Sequence, residues 1–109
     1  MKLGANILQL LENKNMTQKK LAEITGINPK TLNNYVIERN QPDCMVLTSL
    51  AAALDTSPDY LLGLTPFIKP LTKREIFIVH AYRSFDPQQK GIITGLTNLI
   101  VAQNSKPKN

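Results

Sequence analysis

Apolar residues recur every three or four positions through most of residues 1–65, which is the repeat of a helix that buries one face. No segment alternates between apolar and polar residues as a strand does. The pattern predicts an all-α fold with five helices in residues 1–65, spanning residues 3–13, 17–24, 29–37, 43–54 and 57–63. In the fourth helix it predicts a buried side made of Met45, Val46, Leu47, Leu50, Ala51 and Leu54.

The second and third predicted helices are joined by a very short turn. Thr17 can cap the first of the two, and Gly26 suits the left-handed backbone at which that helix ends. The next helix starts at once, with Asn28 as its cap and Pro29 at its first position. A turn this short fixes the crossing angle, and a pair of this shape can place its second helix in a DNA major groove.

The C-terminal part of the chain predicts a helical hairpin at residues 72–103. Residues 66–71 hold two of the prolines and form a predicted linker. Thr72 and Glu75 can form a capping box, and Asp86, Pro87 and Gln89 open a second helix that runs to about residue 102. Residues 104–109 form a polar, disordered tail in this prediction.

The hairpin carries more apolar surface than two helices can hide from water. We therefore expect it to associate, with a dimer core made by apolar residues of both helices. These residues are Ile76, Val79, Tyr82, Ile92, Ile93, Leu96, Leu99 and Ile100. The alternative is that the hairpin packs against its own N-terminal domain.

The net charge of +5 is unevenly distributed along the chain. Residues 1–65 hold six basic and six acidic side chains, so their charge balances, whereas residues 66–109 hold seven basic and two acidic ones. Binding to a nucleic acid depends on which face carries the cations. Lys19, Lys20, Lys30 and Arg39 all lie in or beside the two-helix pair.

Composition argues against several other classes of protein. No apolar run approaches the roughly 20 residues that cross a bilayer, and the N-terminus predicts an amphipathic helix without a cleavage site. Cys44 is the one cysteine, and we expect it to behave as a small buried hydrophobe in a reducing, cytoplasmic compartment. One histidine, His80, and scattered carboxylates predict no metal site, no cofactor and no enzyme activity.

Residues 3–65 resemble the lambda-repressor and Cro-like, XRE-type helix-turn-helix family. The resemblance rests on short motifs that occur in the family's order and spacing. They are Thr17-Gln18, Leu21-Ala22, Gly26-Ile27, Leu32, Pro42, Leu50-Ala51, Ala53-Leu54 and Ser57-Pro58-Asp59-Tyr60-Leu61-Leu62. The resemblance implies a five-helix domain that binds double-stranded DNA, with the second helix of the pair in the major groove.

The resemblance also assigns roles to side chains. Base contacts are expected from Lys30, Thr31, Asn33 and Asn34, because amide, ammonium and hydroxyl groups can pair with base edges. Contacts to the DNA backbone are expected from Gln18, Lys19, Lys20, Asn28, Asn40 and Gln41. Leu32, Tyr35 and Val36 are expected to pack inward. The alternative for the polar residues is an ordinary solvated helix face.

Three positions depart from the family's pattern. In many relatives, an ion pair joins the first helix to the recognition helix, which is the second helix of the pair. Its two positions are occupied here by Leu11 and Val36, which are both apolar. Replacing both partners can be neutral, so we predict that these two side chains touch. Glu38 replaces a common glycine and is expected to point away from DNA or pair with Arg39. Pro29 cannot hydrogen-bond a base.

The sequence favours a transcriptional repressor, of a phage-like or mobile-element kind, that binds a palindromic operator as a homodimer. Two alternatives remain. An antitoxin-like or antirepressor-controlled regulator would bind a small protein through its hairpin, and a helix-turn-helix fold kept only for protein binding would show no salt-dependent affinity for DNA.

Overall fold

Seven helices and no strand occupy the part of the chain that this computed structural model describes, residues 2–105. The predicted all-α fold is confirmed. The helices are α1 (Leu3–Asn13), α2 (Gln18–Thr25), α3 (Pro29–Val36), α4 (Cys44–Ala53), α5 (Pro58–Leu61), α6 (Lys73–Ser84) and α7 (Pro87–Asn104). The chain divides into two compact units between Pro70 and Leu71.

Side chains that cap helix N-termini explain why most of the starts could be located from sequence. Six helices begin after a side-chain oxygen that accepts a backbone N–H of the first turn, and proline opens three of them. The capping residues are Thr17, Asn28, Asp43, Ser57, Thr72 and Asp86. Thr72 with Glu75, and Asp86 with Gln89, form complete capping boxes.

The first unit is built on one apolar cluster to which α1 to α5 all contribute. Seven side chains in it are almost completely inaccessible to solvent: Leu3, Ile7, Leu21, Leu32, Leu50, Leu54 and Leu61. The amide of Asn6 closes one edge of the unit by donating to the carbonyls of Tyr60 and Leu61 at 2.9 and 3.2 Å. The N-terminal and C-terminal helices of the unit are therefore tied together.

Helix α1 approaches α3 very closely at Gly4. A Cβ placed on Gly4 would lie 1.9 Å from the carbonyl oxygen of Val36, the last residue of α3. No atom can occupy that space, so only glycine fits while the two helices keep this separation. This contact determines how near the end of α3 lies to the core.

Leu11 and Val36, which replace an ion pair common in relatives, belong to the same apolar cluster. Leu11 is buried, and Val36 is partly buried and packed against the cluster. Neither position therefore leaves an unpaired charge in the core. Direct contact between the two side chains stays a prediction.

Two expectations about α4 were wrong. Met45 was assigned to the buried side of α4 but is 79% exposed, and Cys44, expected to be buried, is also exposed. The buried face of α4 is set by Leu47, Leu50 and Ala51, with Val46 packed beside it, and Cys44 and Met45 lie outside that face. An apolar side chain in the first turn of a helix can therefore be exposed even when the rest of the helix has a buried apolar face.

The segment after α5 is held against the first unit. The hydroxyl of Thr56 donates to the carbonyl of Ile68, and the ammonium of Lys69 lies 3.5 Å from a carboxylate oxygen of Asp55. Much of the predicted linker at 66–71 is therefore attached to this unit, and the break between units follows Pro70.

In the second unit, α6 and α7 are joined at a short corner of extended backbone at Phe85. The ammonium of Lys90 lies 5.4 Å from the centroid of the Tyr82 ring, which links the two helices near the corner. Helix α7 runs to Asn104, two residues beyond the predicted end. Residues 106–109 of the predicted tail lie outside the described residues.

Among residues 2–105, no helix combines the length and the apolar character needed to cross a membrane.

We predict that Gly4→Ala lowers the free energy of unfolding by about 1–3 kcal/mol, because the new methyl group must push α1 away from Val36. Gly91→Ala is the matched control. A Cβ at Gly91 meets no atom within 4 Å, so alanine should stabilise α7 by up to about 1 kcal/mol. Chemical denaturation of both variants measures the difference, and equal effects would contradict the close approach.

Candidate nucleic-acid interface

The turn between α2 and α3 has the geometry that the sequence predicted. The hydroxyl of Thr17 accepts the N–H of Lys20 at 3.0 Å, and α2 ends at Gly26, whose φ of 72° is left-handed. The side chain of Asn28 accepts the N–H of Lys30 at 2.9 Å and starts α3. Because each terminus is capped locally, two short helices meet across a turn of three residues.

Helix α3 presents a polar face to solvent and an apolar face to the core. Leu32 is fully buried, while Tyr35 and Val36 pack against the cluster, as predicted. Lys30, Asn33, Asn34 and Ile37 follow one another at helical spacing and lie within an arc of roughly 100° on the opposite side. Lys30, Asn33 and Ile37 are exposed and Asn34 is half-buried.

A hydrogen bond connects the start of α2 to this polar face. The side-chain amide of Gln18 donates to the Oδ1 atom of Asn33 at 3.2 Å. Gln18 is a predicted backbone contact and Asn33 a predicted base contact, so the structure links the two classes of side chain. The bond also orients the Asn33 amide before any ligand arrives.

The loop after α3 is fastened to the carbonyl oxygen of Asn34. That oxygen accepts the N–H of Arg39 at 2.8 Å and the N–H of Asn40 at 3.3 Å. Glu38, the residue before Arg39, has a left-handed φ of 59°. The loop that carries Asn40 and Gln41 is therefore positioned by the same helix that carries the candidate base contacts.

The basic side chains of this region remain accessible. Lys19, Lys20, Lys30 and Arg39 are all exposed. Lys20 lies 3.8 Å from Glu23, but both side chains are about 60% exposed and such pairs contribute little. These cations are available to an anionic partner.

The remaining predicted site residues differ in their exposure and in whether their polar atoms already make hydrogen bonds. Thr31 is half-buried at the edge of the polar face, and the Oδ1 atom of Asn28 is already used as a helix cap. Asn40 and Gln41 are exposed beside Leu3 and Glu38, where they line a small groove of about 190 Å³.

Of the two arrangements expected for Glu38, the ion pair with Arg39 does not form among the described residues. Two other features were not anticipated. The Gln18–Asn33 hydrogen bond was missed, since nothing in the sequence pairs two amides 15 residues apart. Ile37, 53% exposed on the polar face, had no assigned role.

Within residues 2–105, no group of three or more His, Cys, Asp or Glu side chains is placed to hold a metal ion. The chemistry of this surface is that of amides and cations on a helix face.

A capped α2, a left-handed glycine turn and an exposed polar face on α3 define a helix-turn-helix protein. A family model described as helix-turn-helix matches residues 7–61, which is half of the chain. The chain belongs to the XRE-type, lambda-repressor-like helix-turn-helix family of transcriptional regulators.

Two known proteins are similar to this chain. One is an uncharacterized HTH-type transcriptional regulator of Bacillus subtilis, YobD, 36% identical over 67 residues. The match covers 62% of this chain and 60% of that protein, so the chain spans about three-fifths of the relative's length. The other is the crystal structure of a repressor from a Salmonella-temperate phage, with a TM-score of 0.55 and 23% identity. It is similar in fold over 95% of this chain and 97% of the phage protein.

We predict that Glu38→Gly stabilises the first unit by about 0.5–1 kcal/mol, because glycine adopts a positive φ with less strain. Glu38→Gln removes the charge but keeps the Cβ, so its free energy of unfolding should stay close to that of the wild type. Denaturation curves for the two variants provide the comparison. If the glycine variant is no more stable than the glutamine variant, the left-handed backbone is not strained.

Proposed function

We propose that this protein is a sequence-specific repressor that binds double-stranded DNA through α3. The observation that carries the proposal is the polar face of α3, which the buried Leu32 turns towards solvent and on which Gln18 hydrogen-bonds Asn33. A side chain that is already hydrogen-bonded, as Asn33 is, has less freedom to lose when it binds, which favours specific recognition.

The proposed base contacts follow from the chemistry of each side chain. The amides of Asn33 and Asn34 can donate and accept, and an amide pairs bidentately with the N6 and N7 edge of adenine. Lys30 donates to guanine acceptors, and Thr31 can bond a base or contact a thymine methyl. Gln18, Lys19, Lys20, Asn28, Asn40 and Gln41 are the proposed contacts to the DNA backbone.

The proposed regulator acts as a homodimer on a palindromic operator. One recognition helix specifies only a few base pairs. A two-fold dimer places two such helices on half-sites about one DNA turn, roughly 34 Å, apart. The apolar residues of the second unit supply the proposed dimer contacts. A phage-like or mobile-element origin is supported by the likeness in fold to a phage repressor, and the cytoplasm is the proposed location because the DNA is there.

A second candidate function has an observation in its favour. Ile76, Phe77 and Ile78 on α6 are 42%, 72% and 55% exposed, and a group of large apolar side chains in water is typical of a surface that meets another protein. An antitoxin-like or antirepressor-controlled regulator would use α6 in this way. A helix-turn-helix domain that binds only proteins is the third possibility.

The central test is selection of bound duplexes from a random DNA library by the full chain. A repeated, two-fold symmetric sequence is the expected product, with an affinity that falls steeply as salt rises. A library that yields no enriched sequence, together with an affinity that does not depend on salt, would contradict the proposed function.

For single side chains, we predict that Asn34→Ala and Lys30→Ala each cost about 1–3 kcal/mol on the selected operator and relax the base preference at one position. Lys14→Ala is the control, because Lys14 is exposed at the end of α1 and outside the proposed interface. Its affinity should match the wild type. Fluorescence anisotropy with operators changed at single base pairs measures both effects; a uniform loss on every sequence would show that these residues do not read bases.

A further inference from the structure

The second unit leaves almost all of its apolar side chains in water. No residue of α6 or α7 is buried, and nine of the large hydrophobic residues on the two helices are between 38% and 72% exposed. They are Ile76, Phe77, Ile78, Ile92, Ile93, Leu96, Leu99, Ile100 and Val101. Two helices in this condition need a further partner.

The side of α7 that meets α6 is not its most apolar side. The two helices flank a groove of about 380 Å³, to which α7 contributes Ile93, Thr94 and Thr97. Ile92, Leu96 and Leu99 lie roughly 140° further round α7, at about 100° per residue. We call these three residues the outer stripe. Each of them is more than half exposed, and pairing with α6 does not cover them.

The outer stripe has the spacing of a helix that packs lengthwise against another helix. Its residues recur at intervals of four and three, and Gln89 and Gln103 continue the same spacing at either end. Residues 91–104 contain no charged side chain, so two identical faces can meet without repulsion between like charges. A two-fold interface requires this kind of self-compatibility.

The amount of exposed surface also suits a second copy. Ile92, Leu96 and Leu99 are 57%, 53% and 64% exposed, and a second copy laid against them would remove this apolar surface from water.

We propose that a second copy of this chain covers the outer stripe, so that the α7 helices of two copies pack against each other while α6 lies on the far side of each. This inference rests on the homodimer in the proposed function and names the surface that forms it. It assigns Leu96, at the centre of the stripe, to the middle of the interface, and it places Val79 and Tyr82 in the groove within each copy.

Sedimentation velocity of the full chain tests the proposal. The wild type should be dimeric at micromolar concentration. Leu96→Glu should weaken the dimer by about 100-fold or more, because the carboxylate would be buried against its copy. Phe77→Glu is the matched control: Phe77 is 72% exposed on the other helix, away from the groove, and its dissociation constant should change less than about threefold.

A cross-linking experiment provides a readout that does not depend on a destabilising charge. In a Cys44→Ser background, which removes the one native thiol, Leu96→Cys should form a disulfide with its own copy on mild oxidation. Arg83→Cys, on α6 at the groove, should not cross-link under the same conditions. Far-ultraviolet circular dichroism checks that all variants keep their helices.

Several results would overturn the interface. They are a monomeric wild type, a Leu96→Glu variant that stays dimeric, a Phe77→Glu variant that dissociates equally, and a Leu96→Cys variant that does not cross-link. Failure of the DNA proposal looks different. A dimer that selects no DNA sequence would support the interface and refute the repressor. A monomer that binds one half-site specifically would support DNA recognition and refute the interface.

Discussion

The near-contact between Gly4 and the carbonyl of Val36 is the constraint on which the position of the polar face of α3 depends. It brings α1 against the end of α3, and α3 buries Leu32 in the cluster that all five helices of the first unit share. The polar face of α3 then has no freedom to rotate, because turning it would also move Leu32 out of the core. The orientation of this face and the stability of the first unit therefore depend on the same contacts.

Much of the fold could be predicted from local signals. Thr17, Asn28, Thr72 and Asp86 each cap a helix in the way that residue type and spacing indicate, because a capping bond depends only on the next three residues. Burial was predicted less well, as Met45 shows, since a helix wheel does not tell which part of a stripe faces a neighbour. The tie between Lys69 and Asp55 also depends on tertiary structure, and no local pattern announces it.

In the candidate site, too, some features follow from local sequence and others depend on tertiary structure. That Leu32 faces inward and Lys30 outward follows from helical spacing alone, and the structure agrees. The hydrogen bond from Gln18 to Asn33 and the anchoring of the loop by the Asn34 carbonyl join residues through space. Such contacts need the crossing angle of α2 and α3, which sequence reasoning constrains without specifying each bond.

The attachment of residues 68 and 69 to the first unit has a consequence for how two copies would work together. Thr56 holds the chain at the carbonyl of Ile68, so little free chain separates that anchor from the start of the second unit after Pro70. When one copy is bound to DNA, a short, proline-containing connection keeps the effective concentration of the other copy's α3 high only over a narrow range of distances from the first. In the proposed dimer, this short connection would therefore limit the half-site spacings to which both α3 helices can bind at once.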